Sequence, residues 1–228
     1  MAECIILCGG ESKRMKPYLP FSKALAEIRA GLTILEYQIK WLNNSGINHI
    51  TLAIDQQTYK NLKKDSPPLN EVEYSVEKER LGTGGAIVKA IEQVKTSPFY
   101  VMNIDDILIS QTYKPVSLLE SIYENSNAKG SILLARTRFP YGIVDTSGSR
   151  IIGFRQKPLL DHKICCGHYA FTKEGVETYF PEKGNFEDAA LQNMARDGVL
   201  YCKELEGEWI TVNNIKQLEE AKQRLTVK

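Results

Sequence analysis

The chain has 228 residues, a formal net charge of +1 at pH 7 and five cysteines. This near-zero charge gives no support for a nucleic-acid partner, because general nucleic-acid binders carry a basic excess. No apolar run reaches membrane-spanning length and the start lacks a signal-peptide pattern, so we expect a cytoplasmic protein with no membrane partner. The cysteines form no C-x-x-C pair and the three histidines are scattered, which predicts reduced, mostly buried thiols rather than a zinc site.

The first predicted strand leads into a glycine turn and then a basic segment. Residues Cys4 to Cys8 are almost wholly apolar, as is typical of a strand buried on both faces of a parallel sheet. Gly9 and Gly10 let the chain turn sharply and bring its backbone close to a ligand. The basic residues that follow are Lys13, Arg14, Lys16 and Lys23. This order predicts a phosphate site at the carboxyl end of a strand.

Strands and helices alternate through the first half of the chain. Thr33 and Glu36 have the spacing of a capping box, which predicts the start of a helix that ends at Gly46. The other elements predicted here are strands at 49–54, 72–76 and 98–104 and helices at 57–64, 83–94 and 116–125. This alternation indicates right-handed βαβ units and a parallel sheet.

The second half is richer in strands. The predicted strands are 131–137, 141–145, 151–156, 165–172, 200–203 and 209–212, and the predicted helices are 173–179, 186–197 and 215–225. Because no linker or repeat interrupts the chain, we expect one domain over residues 1–228. Its first half, to about residue 127, would bind nucleotide, and its second half, from about 128, would bind the other substrate.

The motifs, taken in order, resemble those of the sugar-1-phosphate nucleotidyltransferases, which join a nucleoside triphosphate to a sugar phosphate. The family's opening Gly-Gly-x-Gly-x-Arg stands here as Gly9-Gly-Glu-Ser-Lys-Arg14, and Lys23 stands in the place of its downstream lysine. The later motifs are Leu81-Gly-Thr-Gly-Gly-Ala86, Asn103-Ile-Asp105, Tyr141-Gly-Ile-Val144, Phe154-Arg-Gln-Lys-Pro158, Cys165-Cys-Gly-His-Tyr169 and Glu208-Trp-Ile-Thr211. The resemblance covers nearly the whole chain. It implies an α/β, Rossmann-like nucleotidyltransferase fold, with a mixed, mostly parallel central sheet flanked by helices on both faces.

The resemblance also implies a reaction and the residues that perform it. A sugar-phosphate oxygen would attack the α-phosphorus of the triphosphate in line and expel pyrophosphate, with Mg²⁺ as cofactor. The implied catalytic residues are Arg14, Lys23 and Asp105, of which Asp105 is also the metal ligand; Asp106 is a weaker ligand candidate that could instead be an N-cap or turn acid. The implied nucleotide-binding residues are Leu7, Gly9, Gly10, Glu11, Ser12, Glu77, Leu81, Gly82 and Thr83. The implied sugar-phosphate-binding residues are Gly142, Gln156, Lys157, Cys165 and Gly167.

Several positions depart from the family pattern, so alternative functions stay open. Thr211 stands in place of a second metal-binding Asp, Gln156 in place of a Glu and Cys165 in place of an Asn. One interpretation is an active guanylyl-, uridylyl- or thymidylyltransferase, compatible with a homo-oligomer, whose acceptor is unusual. A second is a catalytically weak, nucleotide-binding homologue that serves as a regulatory or partner subunit. A third, a Rossmann-type dehydrogenase, is poorly supported because the first glycine motif is not G-x-G-x-x-G.

The second glycine-rich segment has a structural alternative. The glycines between Leu81 and Ala86 could place a nucleobase against the backbone, or they could only tighten the packing at the start of a helix.

Overall fold

The apolar run at the start of the chain forms the strand at the centre of the fold. The computed structural model of the protein describes residues 2–10, 15, 19, 22–65 and 72–226. In strand β1 (Ala2–Leu7), Cys4 and Ile6 pack into one apolar core and Ile5 and Leu7 pack into another. Because side chains alternate along a strand, burial of both sets means that β1 is covered on both faces.

The remaining elements follow in chain order. The strands are β2 (Glu27–Arg29), β3 (Leu32–Thr33), β4 (Ile47–Asp55), β5 (Val72–Glu77), β6 (Phe99–Asn103), β7 (Asp106–Ile109), β8 (Gly130–Ala135), β9 (Gly142–Ser147), β10 (Arg150–Gln156), β11 (Ile164–Phe171), β12 (Leu200–Glu204) and β13 (Glu208–Thr211). The helices are α1 (Ile34–Asn44), α2 (Gln56–Asp65), α3 (Gly82–Ala90), α4 (Pro115–Tyr123), α5 (Lys173–Tyr179), α6 (Ala190–Arg196) and α7 (Ile215–Thr226). A short 3-10 helix covers Lys23–Leu25.

A seven-stranded sheet with the order β12-β8-β11-β6-β1-β4-β5 organises the described residues. The pairs β1–β4, β1–β6, β4–β5 and β8–β12 are parallel, whereas β11 runs antiparallel to both β6 and β8. Three further pairs, β9–β10, β7–β13 and β2–β3, form two-stranded sheets. The predicted α/β class with a mixed, mostly parallel central sheet is confirmed.

Helices cover both faces of this sheet, as predicted. Helices α1, α4 and α7 contribute Leu35, Leu118 and Leu218 to the core on one face. Helices α3, α5 and α6 contribute Ile87, Val176 and Met194 to the core on the other face. No helix in the described ranges has both the length and the apolar character needed to cross a bilayer. Of the five cysteines, all of them free, Cys165 and Cys202 are exposed and the other three are buried.

The capping box predicted for α1 is present and fixes the start of the helix. The Thr33 hydroxyl accepts the backbone N–H of Glu36, and the Glu36 carboxylate accepts the backbone N–H of Thr33 at 2.8 Å. With the start of α1 fixed in this way, its buried Gln38 points at the segment that follows β6, to whose backbone it donates hydrogen bonds.

Two predicted helix boundaries are wrong, and strand β7 was not predicted. Helix α3 ends at Ala90 instead of Val94, because the next residues form tighter turns in which Val94 N–H donates to Ile91 O. Helix α6 begins at Ala190 instead of Phe186, whose backbone N–H is held by the Thr83 hydroxyl. Strand β7 was not predicted, because its partner β13 lies about a hundred residues away in sequence and no local pattern reveals the pairing.

Candidate active site

The carboxyl ends of β1, β4 and β5 surround a pocket of about 530 Å³. Parallel strands bring their carboxyl ends to one edge of the sheet. Here Asp55, the last residue of β4, lies opposite Glu77, the last residue of β5, in the register of the two strands. The lining residues are Leu7, Gly9, Gly10, Ser22, Ala53, Asp55, Gln57, Thr58, Asn61, Glu77, Arg80, Gly82, Thr83, Ala86 and Asn185. This volume lies within the range of small-molecule sites.

Most of the predicted nucleotide-binding residues that the structure describes meet in this pocket. Those lining it are Leu7, Gly9, Gly10, Glu77, Gly82 and Thr83, and Leu81 lies beside Gly82 at the start of α3. Glu11, Ser12 and Arg14 lie outside the described residues, so their predicted roles stay predictions.

Glu77 places a largely buried carboxyl group on the pocket wall. Its side chain is 9% exposed, and burial raises the pKa of this carboxyl group above its usual value. One oxygen, Oε2, accepts the backbone N–H of Leu81 at 3.2 Å. The other, Oε1, would lie 3.7 Å from a Cβ placed on Gly9, so it lies against the first glycine turn. Glu77 therefore joins the two glycine-rich segments.

Asp55 was missed by the sequence analysis, although it lines the pocket. Its Oδ1 accepts the N–H groups of Gln57 and Thr58 at 2.9 Å, and its Oδ2 accepts the Thr58 hydroxyl at 2.6 Å. The side chain thus caps the first turn of α2. An Asp at the end of a predicted strand with a Thr three residues later is the signal that could have revealed it.

The glycines that open α3 pack closely against the segment from 181 to 184. A Cβ on Gly82 would lie 2.6 Å from the backbone of Gly184, and one on Gly85 would lie 2.2 Å from the carbonyl oxygen of Glu182. The Thr83 hydroxyl donates to Glu187 at 2.5 Å. The packing explanation for this motif therefore holds, and the same close approach brings Asn185 to the pocket wall.

Lys23 and Asp105, both predicted as catalytic residues, are brought together. Lys23 Nζ lies 2.5 Å from Asp105 Oδ2, and the two side chains are 21% and 15% exposed. Ser22, the N-cap of the 3-10 helix that carries Lys23, lines the pocket. The ion pair therefore stands at the edge of the cavity, where it compensates the cost of a largely buried carboxylate.

Hydrogen bonds from several elements hold the segment that carries Asp105. Gln38 donates to the carbonyls of Ile104 and Asp106 at 3.4 and 2.9 Å. Val212 N–H donates to the Asp105 carbonyl at 2.9 Å. The backbone on both sides of Asp105 is thus fixed by contacts remote in sequence.

Asp106 is neither an N-cap nor a turn acid, as it begins strand β7 and is 6% exposed. Its carboxylate accepts hydrogen bonds from Asn103 Nδ2 and Trp209 Nε1, both at 2.9 Å, and from the Thr211 hydroxyl. Burial, followed by the nearby charge of Asp105, raises the pKa of Asp106 to about 7. With these donors around it, Asp106 is a structural acid.

A family model described as nucleotidyl transferase matches residues 3–228 of the chain. The chain belongs to the nucleotidyl transferase family. Among its curated relatives, mannose-1-phosphate guanyltransferase beta-A of Xenopus laevis is 28% identical over 94% of this chain and 62% of the relative. The mannose-1-phosphate guanylyltransferase catalytic subunit beta of Drosophila pseudoobscura pseudoobscura is 31% identical over 93% of this chain and 59% of the relative. The chain therefore spans about three fifths of the length of these relatives.

Solved structures support the fold assignment. HddC from Yersinia pseudotuberculosis, complexed with GMP-PN, superposes with a TM-score of 0.75 at 23% identity over 99% of this chain and 100% of HddC. At this level of identity the likeness establishes the nucleotidyltransferase fold of the chain, which is Rossmann-like as predicted.

In this member of the family, the residues predicted for sugar-phosphate binding divide between two places. Gly142 and Gln156 are cross-strand partners in the β9–β10 hairpin, and Lys157 follows with a left-handed φ of 46°. Cys165 and Gly167 lie on β11, beside the segment of Asp105 and Asp106. The described contacts do not join the two groups.

The structure gives a reason for glycine at position 167. Its φ is +75°, and a Cβ on this residue would lie 1.8 Å from Asp106 Oδ2. The absence of a side chain thus makes room for the buried Asp106 carboxylate. Binding of sugar phosphate at Gly167 stays a prediction.

His168 should make the stability of the protein depend on pH. The side chain is fully buried, and burial lowers the pKa of its imidazole from 6.5 to about 4. Between these values the unfolded chain binds a proton that the folded chain does not. We therefore expect the free energy of unfolding to fall as the pH decreases through this window, by up to about 1.4 kcal/mol per pH unit.

Urea unfolding at a series of pH values measures this slope, which should be shallower in His168→Gln. The matched control is His49→Gln, a substitution at an exposed histidine of β4, which should keep the wild-type slope. Equal slopes in the wild type and His168→Gln would contradict the assignment.

Proposed function

We propose that the chain transfers a guanylyl group from GTP to a sugar 1-phosphate and releases pyrophosphate. The observation that carries this proposal is the Lys23–Asp105 ion pair, which adjoins the pocket-lining Ser22, together with Glu77 on the pocket wall. Family membership supports nucleotidyl transfer, and the names of the relatives, mannose-1-phosphate guanylyltransferases, support guanine and a sugar 1-phosphate.

The chemistry requires positioning and charge compensation rather than a covalent step by the protein. A sugar-phosphate oxygen attacks the α-phosphorus in line, that new P–O bond forms, and the bond to the pyrophosphate oxygen breaks. Lys23 offers a compact positive charge at the α-phosphate, and Arg14 offers a planar guanidinium to the leaving phosphates. The backbone of Gly9 and Gly10 admits the triphosphate chain.

Glu77 is suited to read the base. The Watson–Crick edge of guanine presents two N–H donors, and a carboxylate is an acceptor-only group. Because Oε2 is already held by Leu81 N–H, the carboxylate is oriented before the base arrives. Uracil and thymine present one such donor, which is the physical basis for the preference.

The residues present fit Mg²⁺ as the cofactor. The described residues contain no cluster of three or more His, Cys, Asp or Glu side chains that could hold a metal. Protein-bound Mg²⁺ commonly uses one or two carboxylates together with substrate phosphates, and Asp105 supplies such a carboxylate at the pocket edge. When bound, the ion would neutralise charge on the reacting phosphates. The Thr211 hydroxyl accepts Asn213 Nδ2 at 2.8 Å and donates to Asp106, so Asp105 is the better ligand.

The same observation on Thr211 favours a second candidate function. With one carboxylate in place of two, metal affinity falls, and a chain that binds nucleotide without turning it over would serve as a partner subunit. Net charge near zero supports the absence of nucleic-acid partners. The proposal also includes a cytoplasmic location and one domain with nucleotide and sugar-phosphate halves. It further includes a homo-oligomer, and size-exclusion chromatography tests that oligomeric state.

A pyrophosphate-release assay tests the proposal. With Mg²⁺ and a panel of nucleoside triphosphates and sugar 1-phosphates, GTP with one sugar phosphate should give turnover. Lys23→Ala or Asp105→Asn should lower kcat about 10²- to 10³-fold, because each removes charge compensation at the reacting phosphate. Lys216→Ala, at an exposed position of α7, is the control that should behave like the wild type. Nucleotide binding without turnover for any pair would favour the partner-subunit function.

Base selection by Glu77 gives a second prediction. Glu77→Gln replaces a charged acceptor with an amide and should raise KM for GTP about 10- to 100-fold, the value of a charge-assisted hydrogen bond. Glu79→Gln is the matched control, because Glu79 is exposed and pairs with Lys183 at 2.9 Å. If Glu77→Gln and Glu79→Gln have the same KM for GTP, Glu77 does not read the base.

A further inference from the structure

Behind the segment that carries Asp105, three polar side chains form a continuous hydrogen-bonded chain. Tyr113 Oη lies 3.1 Å from Tyr100 Oη, which lies 2.8 Å from His168 Nδ1. His168 Nε2 lies 3.0 Å from the Asp106 carbonyl oxygen. Tyr100 and His168 are fully buried. The indole of Trp41 on α1 packs against the imidazole in a T-shaped arrangement, with 5.8 Å between the ring centroids.

Elementary hydrogen-bond chemistry fixes the direction of this chain. A carbonyl oxygen only accepts, so Nε2 of His168 carries the proton and donates it to Asp106 O. In the neutral imidazole Nδ1 is then an acceptor, and the Tyr100 hydroxyl donates to it. Since that hydroxyl has one proton, Tyr113 is the donor to Tyr100. The tautomer of His168 is therefore set by the Asp106 carbonyl, and the Tyr100 hydroxyl satisfies Nδ1.

The Asp106 carbonyl is held from two sides. Gln38 on α1 donates to it at 2.9 Å and also reaches the Ile104 carbonyl, while His168 donates from β11. These two carbonyls flank Asp105, whose carboxylate meets Lys23. Any displacement of the 104–106 backbone would move that carboxylate relative to the pocket.

We propose that His168 is a positioning residue for Asp105, acting through the Asp106 carbonyl, with its Nδ1 held by the Tyr100 hydroxyl. The proposal rests on the proposed function, because it assigns Asp105 a place at the reacting phosphate. A buried polar group costs more than an apolar one of the same volume unless all its hydrogen bonds are made. Here both ring nitrogens of His168 make hydrogen bonds, and the one from Nε2 is directed at the backbone beside the Asp105 carboxylate. Partners that orient a ligand carboxylate typically contribute one to two orders of magnitude to activity.

The test compares His168→Leu, which removes the donor, with His168→Gln, whose amide keeps an N–H donor near the position of Nε2. In His168→Leu we expect kcat to fall about 10- to 100-fold while KM for GTP stays close to the wild-type value, since Glu77 and the glycine turns are untouched. His168→Gln should recover most of that kcat. Tyr100→Phe, which removes only the hydroxyl that donates to Nδ1, should lie between the two. His49→Leu, at an exposed position of β4, is the control.

Backbone hydrogen exchange gives a readout that does not depend on turnover. The Val212 N–H donates to the Asp105 carbonyl, so its protection reports how firmly the segment is held. His168→Leu should lose protection at Val212 while Ile6, at the centre of the sheet, keeps it, and His168→Gln should keep both.

Three results would overturn the positioning role. The first is wild-type kcat and wild-type Val212 protection in His168→Leu. The second is equal loss of kcat in His168→Leu and His168→Gln in step with equally lowered melting temperatures, which would make the role one of packing alone. The third is an equal loss of protection at Val212 and Ile6. If the wild type turns over no substrate pair, the proposed function fails, and the exchange data still decide whether His168 holds the segment.

Discussion

The site depends on the fixed course of the backbone as it leaves the central sheet after β6. Ile104 N–H donates to the Leu7 carbonyl at 3.3 Å, Val212 donates to the Asp105 carbonyl, and α1 and β11 both donate to the Asp106 carbonyl. A turn between two strands would otherwise be free to vary, because its own residues make few local hydrogen bonds. Held in this way, it presents Asp105 to Lys23 at the pocket edge, where charge compensation can act on a bound phosphate without reorganisation.

The adjacent carboxylates of Asp105 and Asp106 lie in different environments, and this difference gives Asp106 a structural role and Asp105 its proposed role in catalysis. Asp106 is enclosed by side-chain donors, and Gly167 has no side chain where the Asp106 carboxylate lies. Asp105 forms an ion pair with Lys23. Burial and the nearby charge of Asp105 raise the pKa of Asp106, whereas the hydrogen-bond donors around its carboxylate lower it. Asp106 thus holds its hydrogen-bond partners together, and Asp105 is the carboxylate that meets a cation.

Sequence patterns predicted the parts of the fold that local chemistry decides. The apolar run of β1, the capping box of Thr33 and Glu36, and the alternation of strands and helices are local signals, and each is present in the structure. The meeting of Glu77 with the first glycine turn follows from parallel pairing. Three features join residues far apart in sequence, so no spacing rule reveals them. They are the β7–β13 pair, the space that the Asp106 carboxylate takes beside Gly167, and the hydrogen bond from His168 to the Asp106 carbonyl.

The most direct measurement is a crystal structure of the protein with Mg²⁺ and a non-hydrolysable GTP analogue. The account predicts guanine against Glu77, the triphosphate over Gly9 and Gly10, and the α-phosphate beside Lys23, with the metal on Asp105. A nucleotide bound elsewhere, or bound in this pocket with its α-phosphate remote from Lys23 and Asp105, would contradict it.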